Sequence, residues 1–461
     1  MKVLHTSDWH LGQSFFTKSR KSEHEQFFKW LVDLVEQEAI DAVIVAGDIF
    51  DTGTPPSYAR ELYHQLVGRF QGMGCTLVVL GGNHDSVSVL NESRELLSYL
   101  NCHVIASTYG DAQEQVLPLT TRKGKTGAIL CAVPFIRARD VLKSQAGESA
   151  VEKRKALGEA IKQHYAHLYQ IALKKRDELN VSVPIIATGH LTALGVSQSE
   201  SVRDIYIGTL EGFAADGFPP ADYIALGHIH RPQKVAGCDH IRYSGSPIPL
   251  SFDELKSQKQ VLIATFEKQS LVQVESMPIP RFQAMEVLRG NLDDIALALQ
   301  QSEAVKSATE AQPAWLCIEV ETQDYLTDLQ QRIQALIDDK PAEILQLKRM
   351  RKQRSNAISA KENVNLSELS VQEVFNARLS LEAFESDDDK LRKQRIQTLF
   401  EQVVDDVQLA HVDNEGDNID NVSVKVEGKE ANATDAKPDD NIKSAEQVNE
   451  YTSEQPGEDK L

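Results

Sequence analysis

Five times in its first 230 residues this chain runs a short apolar stretch into a knot of aspartate, asparagine or histidine. Val3-Leu4 leads to Ser7-Asp8-Trp9-His10, and the run Ala42 to Ala46 leads to Gly47-Asp48. Thr76 to Leu80 leads to Gly81-Gly82-Asn83-His84-Asp85, Pro184 to Thr188 to Gly189-His190, and Tyr223 to Leu226 to Gly227-His228-Ile229-His230. The intervening segments have helical periodicity. Glu23 to Ala39 carries Phe27, Phe28, Leu31, Leu34 and Val35; a second helix starts at Pro55-Pro56-Ser57, bears Tyr58, Leu62, Leu66 and Phe70, and closes at Gly72 and Gly74; a long one lies between Ala150 and Asn180. Strands alternating with helices restrict the fold to the α/β class, in which ligands collect beyond the carboxyl ends of the strands. All five knots stand at such ends.

A lone histidine after a buried strand is ordinarily a packing residue. Recurrence at five strand ends, four of them with an adjoining glycine, points to a shared site instead. Asp8, His10, Asp48, Asn83, His84, His190, His228 and His230 combine carboxylate, amide and imidazole donors, a mixed oxygen and nitrogen set suited to Mn, Fe or Zn rather than Mg or Ca. Their number suggests two metal ions.

The 461 residues suggest roughly two to four domains, and 41% hydrophobic content is enough to build a substantial core. The formal charge of −19 argues against a nucleic-acid partner until its distribution is considered, because Asp405 to Leu461 contributes −11 of it. Five widely spaced cysteines without a C-x-x-C pair fit a reducing cytoplasm and no disulfide framework. Without an apolar leader or a run of eighteen apolar residues, neither secretion nor a membrane association is expected. The chain has no G-x-x-x-x-G-K-[ST] pattern, so any ATP dependence must come from a partner.

Taken in order, Asp8-x-His10, Gly47-Asp48-x-x-Asp51, Gly82-Asn83-His84-Asp85, Gly189-His190 and Gly227-His228-x-His230 resemble the motif set of the calcineurin-like metallophosphoesterases. SDWHLGQ from Ser7, GDIFDTGTPPSYAR from Gly47 to Arg60 and YSGSPIPLSFDE from Tyr243 to Glu254 are similar to the SbcD family within that group, nuclease subunits of bacterial SbcCD complexes. The resemblance covers about residues 1 to 410. It implies a four-layer β-sandwich flanked by helices over residues 1–275, a small α/β capping domain over 276–355 and a helical partner-binding hairpin over 356–410; the acidic tail over 411–461 lies outside it. It also implies a first metal held by Asp8, His10, Asp48 and His230, and a second by Asp48, Asn83, His190 and His228. A carboxylate shared between the two would hold them roughly 3.5 to 4 Å apart, and manganese is the expected ion. His84 is then a catalytic residue that meets the phosphate and protonates the departing oxygen, and Asp85 orients it. Asp51 departs from archaeal relatives, which carry a second histidine there; it is left a supporting role.

Beyond the catalytic core, Arg281 to Leu288, Ala314 to Val320 and Ile344 to Leu347 read as strands, and Leu292 to Leu299 and Tyr325 to Ile337 as helices. Five of the seven residues from Lys348 to Arg354 are basic, which fits either DNA contact or a solvated strand end. Two apolar stripes between Leu366 and Val407 flank Asp387-Asp388-Asp389 as a helix pair, and the composition after His411 is that of a disordered segment. The resemblance implies that the helix pair docks an SbcC-like ATPase, with a nuclease homodimer inside a heterotetramer. DNA replication, recombination and repair are the expected setting. The expected activity is ATP-dependent double-strand exonuclease and single-strand or hairpin endonuclease cleavage of DNA. The alternatives are a phosphatase or nucleotide phosphodiesterase acting on small molecules, and a scaffold with a degenerate metal site.

Overall fold

In the computed structural model, described over residues 1–142, 150–202, 212–321 and 328–350 and at positions 379, 395, 396, 398 and 400, two six-stranded sheets share an apolar interface. The first runs, in spatial order, Ser270–Pro278, Gln260–Glu267, Lys2–Thr6, Ala42–Val45, Thr76–Leu80 and Cys102–Ile105; the last four are parallel and the first two antiparallel additions. The second runs Gln233–Lys234, Ile241–Tyr243, Tyr223–Gly227, Ile185–His190, Thr126–Cys131 and Val116–Thr120, with a parallel centre and antiparallel outer strands.

Parallel strands covered on both faces are apolar at every position, which is why the sequence shows runs rather than alternation. Val43 and Val45 pack beneath helices Lys21–Gln37 and Ser57–Gly72, whereas Ala42 and Ile44 enter the layer between the sheets. In the second sheet Ile185 and Ala187 meet Leu157, Ile161 and Leu168 of helix Ala150–Glu178, and Ile186 joins the intersheet layer. Each fully buried Val, Leu or Ile in these layers contributes roughly 1.5 to 3 kcal/mol. The order is helix, sheet, sheet, helix, an α/β architecture as expected.

A third sheet of parallel strands Met285–Gly290, Ala314–Glu321 and Ala342–Met350 has its own core of Leu288, Ile295, Leu299, Leu316, Ile318 and Ile333. Helix Leu292–Gln301 starts at a capping box: Asn291 accepts from the N–H groups of Asp293 and Asp294, and Asp294 accepts from Asn291 N–H. The other face of this sheet buries Met285, Trp315 and Cys317 against Phe15 and Phe252. Phe15 and Trp315 stack at 5.6 Å with 9° between their planes, and the fully buried Arg20 guanidinium lies over both rings.

Three element boundaries differ from the periodicity. The first strand of this sheet starts at Met285 rather than Arg281, because the ladder opens only where Trp315 N–H donates to Ala284 O. The last runs Ala342–Met350, so Lys348 and Arg349 of the basic run belong to the strand. The helix expected from Tyr325 is described as Leu329–Ala335, residues 322–327 lying outside the described positions. The hairpin over 356–410 and the tail over 411–461 also lie outside them, isolated positions aside. Among the described residues no helix is long and apolar enough to cross a membrane.

Candidate metal centre

The parallel strands of both sheets end at one rim, and Lys2–Thr6, Ala42–Val45 and Tyr223–Gly227 end in loops whose backbone is forced into an unusual conformation. Asp8, His10, Asp48 and His228 have φ of 53°, 46°, 52° and 92°. The left-handed region is costly for side chains of these types and persists where the surroundings impose it. Here the loops impose it on one another: Asp8 N–H donates to Gly47 O, His10 N–H to Asp48 O, and His228 N–H to the Asp8 carboxylate at 2.8 Å. Two of the adjoining glycines are required by close approach. A Cβ on Gly47 would lie 2.1 Å from His190 Nδ1, and one on Gly82 would lie 2.1 Å from Asp48 Oδ1.

The side chains converge as three overlapping clusters, Asp8 with His10 and His230, Asp48 with His190 and His228, and His10 with Asp48 and His84. Within each cluster the possible ligand atoms lie within 4.8 Å of one another. Asp48 Oδ2 stands 3.6 Å from His10 Nε2 and 3.3 Å from His190 Nε2, between the first two clusters. Asn83 Oδ1 lies 2.9 Å from His190 Nε2 and 3.2 Å from His228 Nδ1, which adds it to the second. Asp8, His10, Asp48, His190, His228 and His230 are all buried, whereas Asn83 and His84 are half-buried and form the open side.

This donor set fits divalent cations. His10 Nε2 and His228 Nε2 are buried without any hydrogen-bond partner, an arrangement that native interiors avoid unless the atom has another use. Charge is similarly unbalanced toward accepting a cation. Burial would raise the Asp48 carboxyl, yet the His190 charge and hydrogen bond, with His10 and His84, hold it well below the usual range. Burial opposes the charge on His190, and Asp48 and Asp8 nevertheless push it up to about 9. His10 is raised against the same burial by Asp51, Asp48 and Asp8, while His228, buried beside His190, is lowered. The carboxylates thus favour a proton on His190, which a cation binding there would displace.

Asp85, expected to orient His84, has hydrogen bonds to the backbone. Both Asp85 oxygens accept backbone N–H groups, from Ile49 at 3.1 Å, Phe50 at 2.9 Å and Gly82 at 2.8 Å. Asp85 therefore braces the Asp48 loop against the Asn83 loop. Burial and the Asp48 charge push its carboxyl up to about 6. The His84 ring instead meets Asp51, whose carbonyl oxygen lies 2.8 Å from His84 Nδ1, while the Asp51 carboxylate lies 3.2 Å from His10 Nδ1. Ser201 and Glu254 approach His230 Nδ1, and no strand-end motif in the sequence points to either. The only signal for them there is the position of Glu254 at the end of the YSGSPIPLSFDE segment.

The model of the calcineurin-like phosphoesterases matches residues 1–232, and that of the Type 5 capsule protein repressor C-terminal domain, SbcD_C, matches residues 281–383. The SbcD chain of the SbcCD nuclease from Escherichia coli K12 is 51% identical over 400 residues, 87% of this chain and 97% of its own. The protein of the same name from Rhodobacter capsulatus is 35% identical over 265 residues, 55% of this chain and 64% of its own. Among solved structures a β-glucosidase from Exiguobacterium marinum aligns over 75% of this chain and 88% of its own at 10% identity, with a TM-score of 0.23, too low to bear on the fold.

Proposed function

The chain belongs to the calcineurin-like phosphoesterases and, within them, to the SbcD nuclease family, metal-dependent phosphodiester hydrolases; from that premise we propose how its residues divide the work. Asp8, His10, Asp48 and His230 hold one divalent cation and Asp48, Asn83, His190 and His228 a second, both manganese. The observation that carries this reading is the convergence of two buried clusters, Asp8 with His10 and His230 and Asp48 with His190 and His228, with Asp48 Oδ2 standing between His10 Nε2 and His190 Nε2. Bound cations would supply the Lewis acidity that polarises a phosphodiester and makes water a competent nucleophile near neutral pH.

The remaining work falls to the chain's own groups. His84 Nδ1 faces a carbonyl oxygen, which can only accept, so Nδ1 carries a proton and Nε2 is the atom that exchanges one with substrate. With the ring half-buried at the open side, that atom protonates the departing sugar oxygen. Asp51 aligns two rings at once, His10 through its carboxylate and His84 through its carbonyl. Asp85 keeps the two loops in register.

DNA is the substrate in this reading, as double-stranded ends, hairpins and single strands. Residues 1–275 form the nuclease domain, and 276–355 form a capping domain whose strand end at Lys348 and Arg349 begins the basic run. Residues 356–410 dock an SbcC-like ATPase, which confers ATP dependence on a heterotetramer containing two nuclease chains, working in the cytoplasm in replication, recombination and repair. The test is to incubate the purified protein and Mn²⁺ with hairpin DNA and with p-nitrophenyl phosphate esters. Cleavage of the hairpin, lost together with bound metal in Asp48→Asn, is expected. Turnover of the esters alone would make the protein a small-molecule phosphatase, and no turnover of either would make it a scaffold.

A further inference from the structure

His230 is held by a buried network that none of the strand-end motifs contains. Glu254, in the short turn Phe252–Lys256, is fully buried, and its carboxylate is shared between two sets of donors. Oε2 accepts from Lys259 Nζ at 2.6 Å and from Leu250 N–H at 2.9 Å. Oε1 accepts from the hydroxyls of Ser199 and Ser201 and lies 3.3 Å from His230 Nδ1. The Ser201 oxygen is itself 2.6 Å from His230 Nδ1. Lys259 Nζ also donates to His230 O at 2.9 Å, so the ion pair grips the histidine at its ring and at its own carbonyl.

We propose that Glu254 is a positioning residue for His230: acting through the Ser201 hydroxyl and from its own Oε1, it keeps the imidazole proton on Nδ1 and leaves the lone pair on Nε2 for a divalent cation. This rests on the reading of His230 as a ligand. The proton count supports it. A serine hydroxyl has one hydrogen, and Ser201 gives its hydrogen to Glu254. Its oxygen can then only accept from His230, so the ring proton must sit on Nδ1. Glu254, salt-bridged to Lys259, is a carboxylate with no hydrogen to donate in return. Stability alone does not account for the arrangement, because apolar residues of similar volume commonly stabilise an interior as well as a buried ion pair does. A carboxylate behind a ligating histidine, by contrast, fixes the ring's tautomer and orientation.

The test uses the full chain and three variants: Glu254→Gln with Lys259→Met, which removes both charges together; Ser201→Ala, which removes the bridging hydroxyl and no charge; and His230→Asn. Mn²⁺ titration followed by calorimetry and by electron paramagnetic resonance gives the affinity of each site. Long-range proton–nitrogen spectra of the metal-free protein report the His230 tautomer. The double variant is expected to lose about 10- to 100-fold in affinity at the Asp8 site with the His190 site unchanged. Ser201→Ala is expected to show a smaller loss in the same direction, and both should populate the Nε2–H tautomer. Parent affinity and a pure Nδ1–H tautomer in Ser201→Ala and in the double variant would overturn the proposal; if the double variant does not fold, Ser201→Ala decides. If His230→Asn binds the first cation as tightly as the parent, the ligand assignment fails. If it loses that cation while the other two variants keep it, only the positioning role fails.

Discussion

Replacing His84 with glutamine separates metal binding from proton transfer. The glutamine amide matches the position of His84 Nε2 rather than Nδ1, so at most the net bond of about 0.5 to 1.5 kcal/mol between Nδ1 and the Asp51 carbonyl, now 2.8 Å away, is at stake and folding should be little affected. What is lost is a group that can release a proton near neutral pH. General acids contribute about 10²- to 10⁴-fold, so the variant should lose roughly 2.7 to 5.5 kcal/mol of transition-state stabilisation, as lower kcat with KM little changed. Because His84 also neighbours His10 and Asp48, metal content must be measured alongside rate. Elemental analysis should find two cations per chain. The decisive assay compares a DNA substrate with a p-nitrophenyl ester of thymidine phosphate. The aryl group departs as a stabilised anion and needs no acid, so its cleavage should fall far less than that of DNA. An equal fall on both substrates, or an empty site, would refute the role assigned to His84.

Three further outcomes follow from the same geometry. In the metal-free protein His190 has a pKa of about 9, above its ordinary value, so below pH 9 it holds a proton that a cation must displace. Mn²⁺ affinity should therefore rise with pH up to about 9, by up to tenfold per unit for that one proton, and calorimetry in buffers of different ionisation enthalpy should detect its release. Asp85→Ala would leave the N–H groups of Ile49, Phe50 and Gly82 without their acceptor. At about 1 to 3 kcal/mol for each unsatisfied group, chemical denaturation should show a loss of several kcal/mol, which metal binding should partly restore. Trp315→Ala empties the contact with Phe15 and Arg20 beneath the third sheet and should cost about 3 to 5 kcal/mol, while metal content stays at the parent value.

Much of the fold and most of the donor set could be read from local patterns. The runs from Ala42 to Ala46 and from Thr76 to Leu80 are apolar at every position because helices cover one face and the second sheet covers the other, and that requirement is written into adjacent residues. A candidate ligand at a strand end is equally local, since Asp8, Asp48, Asn83, His190 and His228 each follow their strand by a few residues or end it. Boundaries are less legible in the third sheet, where the first strand waits for Trp315 to reach Ala284.

Partnership is the part that local pattern does not show. Asp85 sits beside His84 in sequence, and proximity suggests that it orients the ring; its carboxylate is instead taken by the N–H groups of residues 36, 35 and 3 positions away. Glu254 lies 24 residues from His230 and Asn83 lies 107 from His190, in contacts with no periodicity to announce them. By itself the sequence determined the α/β class, the strand ends and which polar side chains gather beyond them, because burial and backbone direction depend on neighbouring residues. Only the tertiary structure decided which group holds which ring, because hydrogen bonds are short and directional, and the loops that supply them meet only after two sheets have packed together.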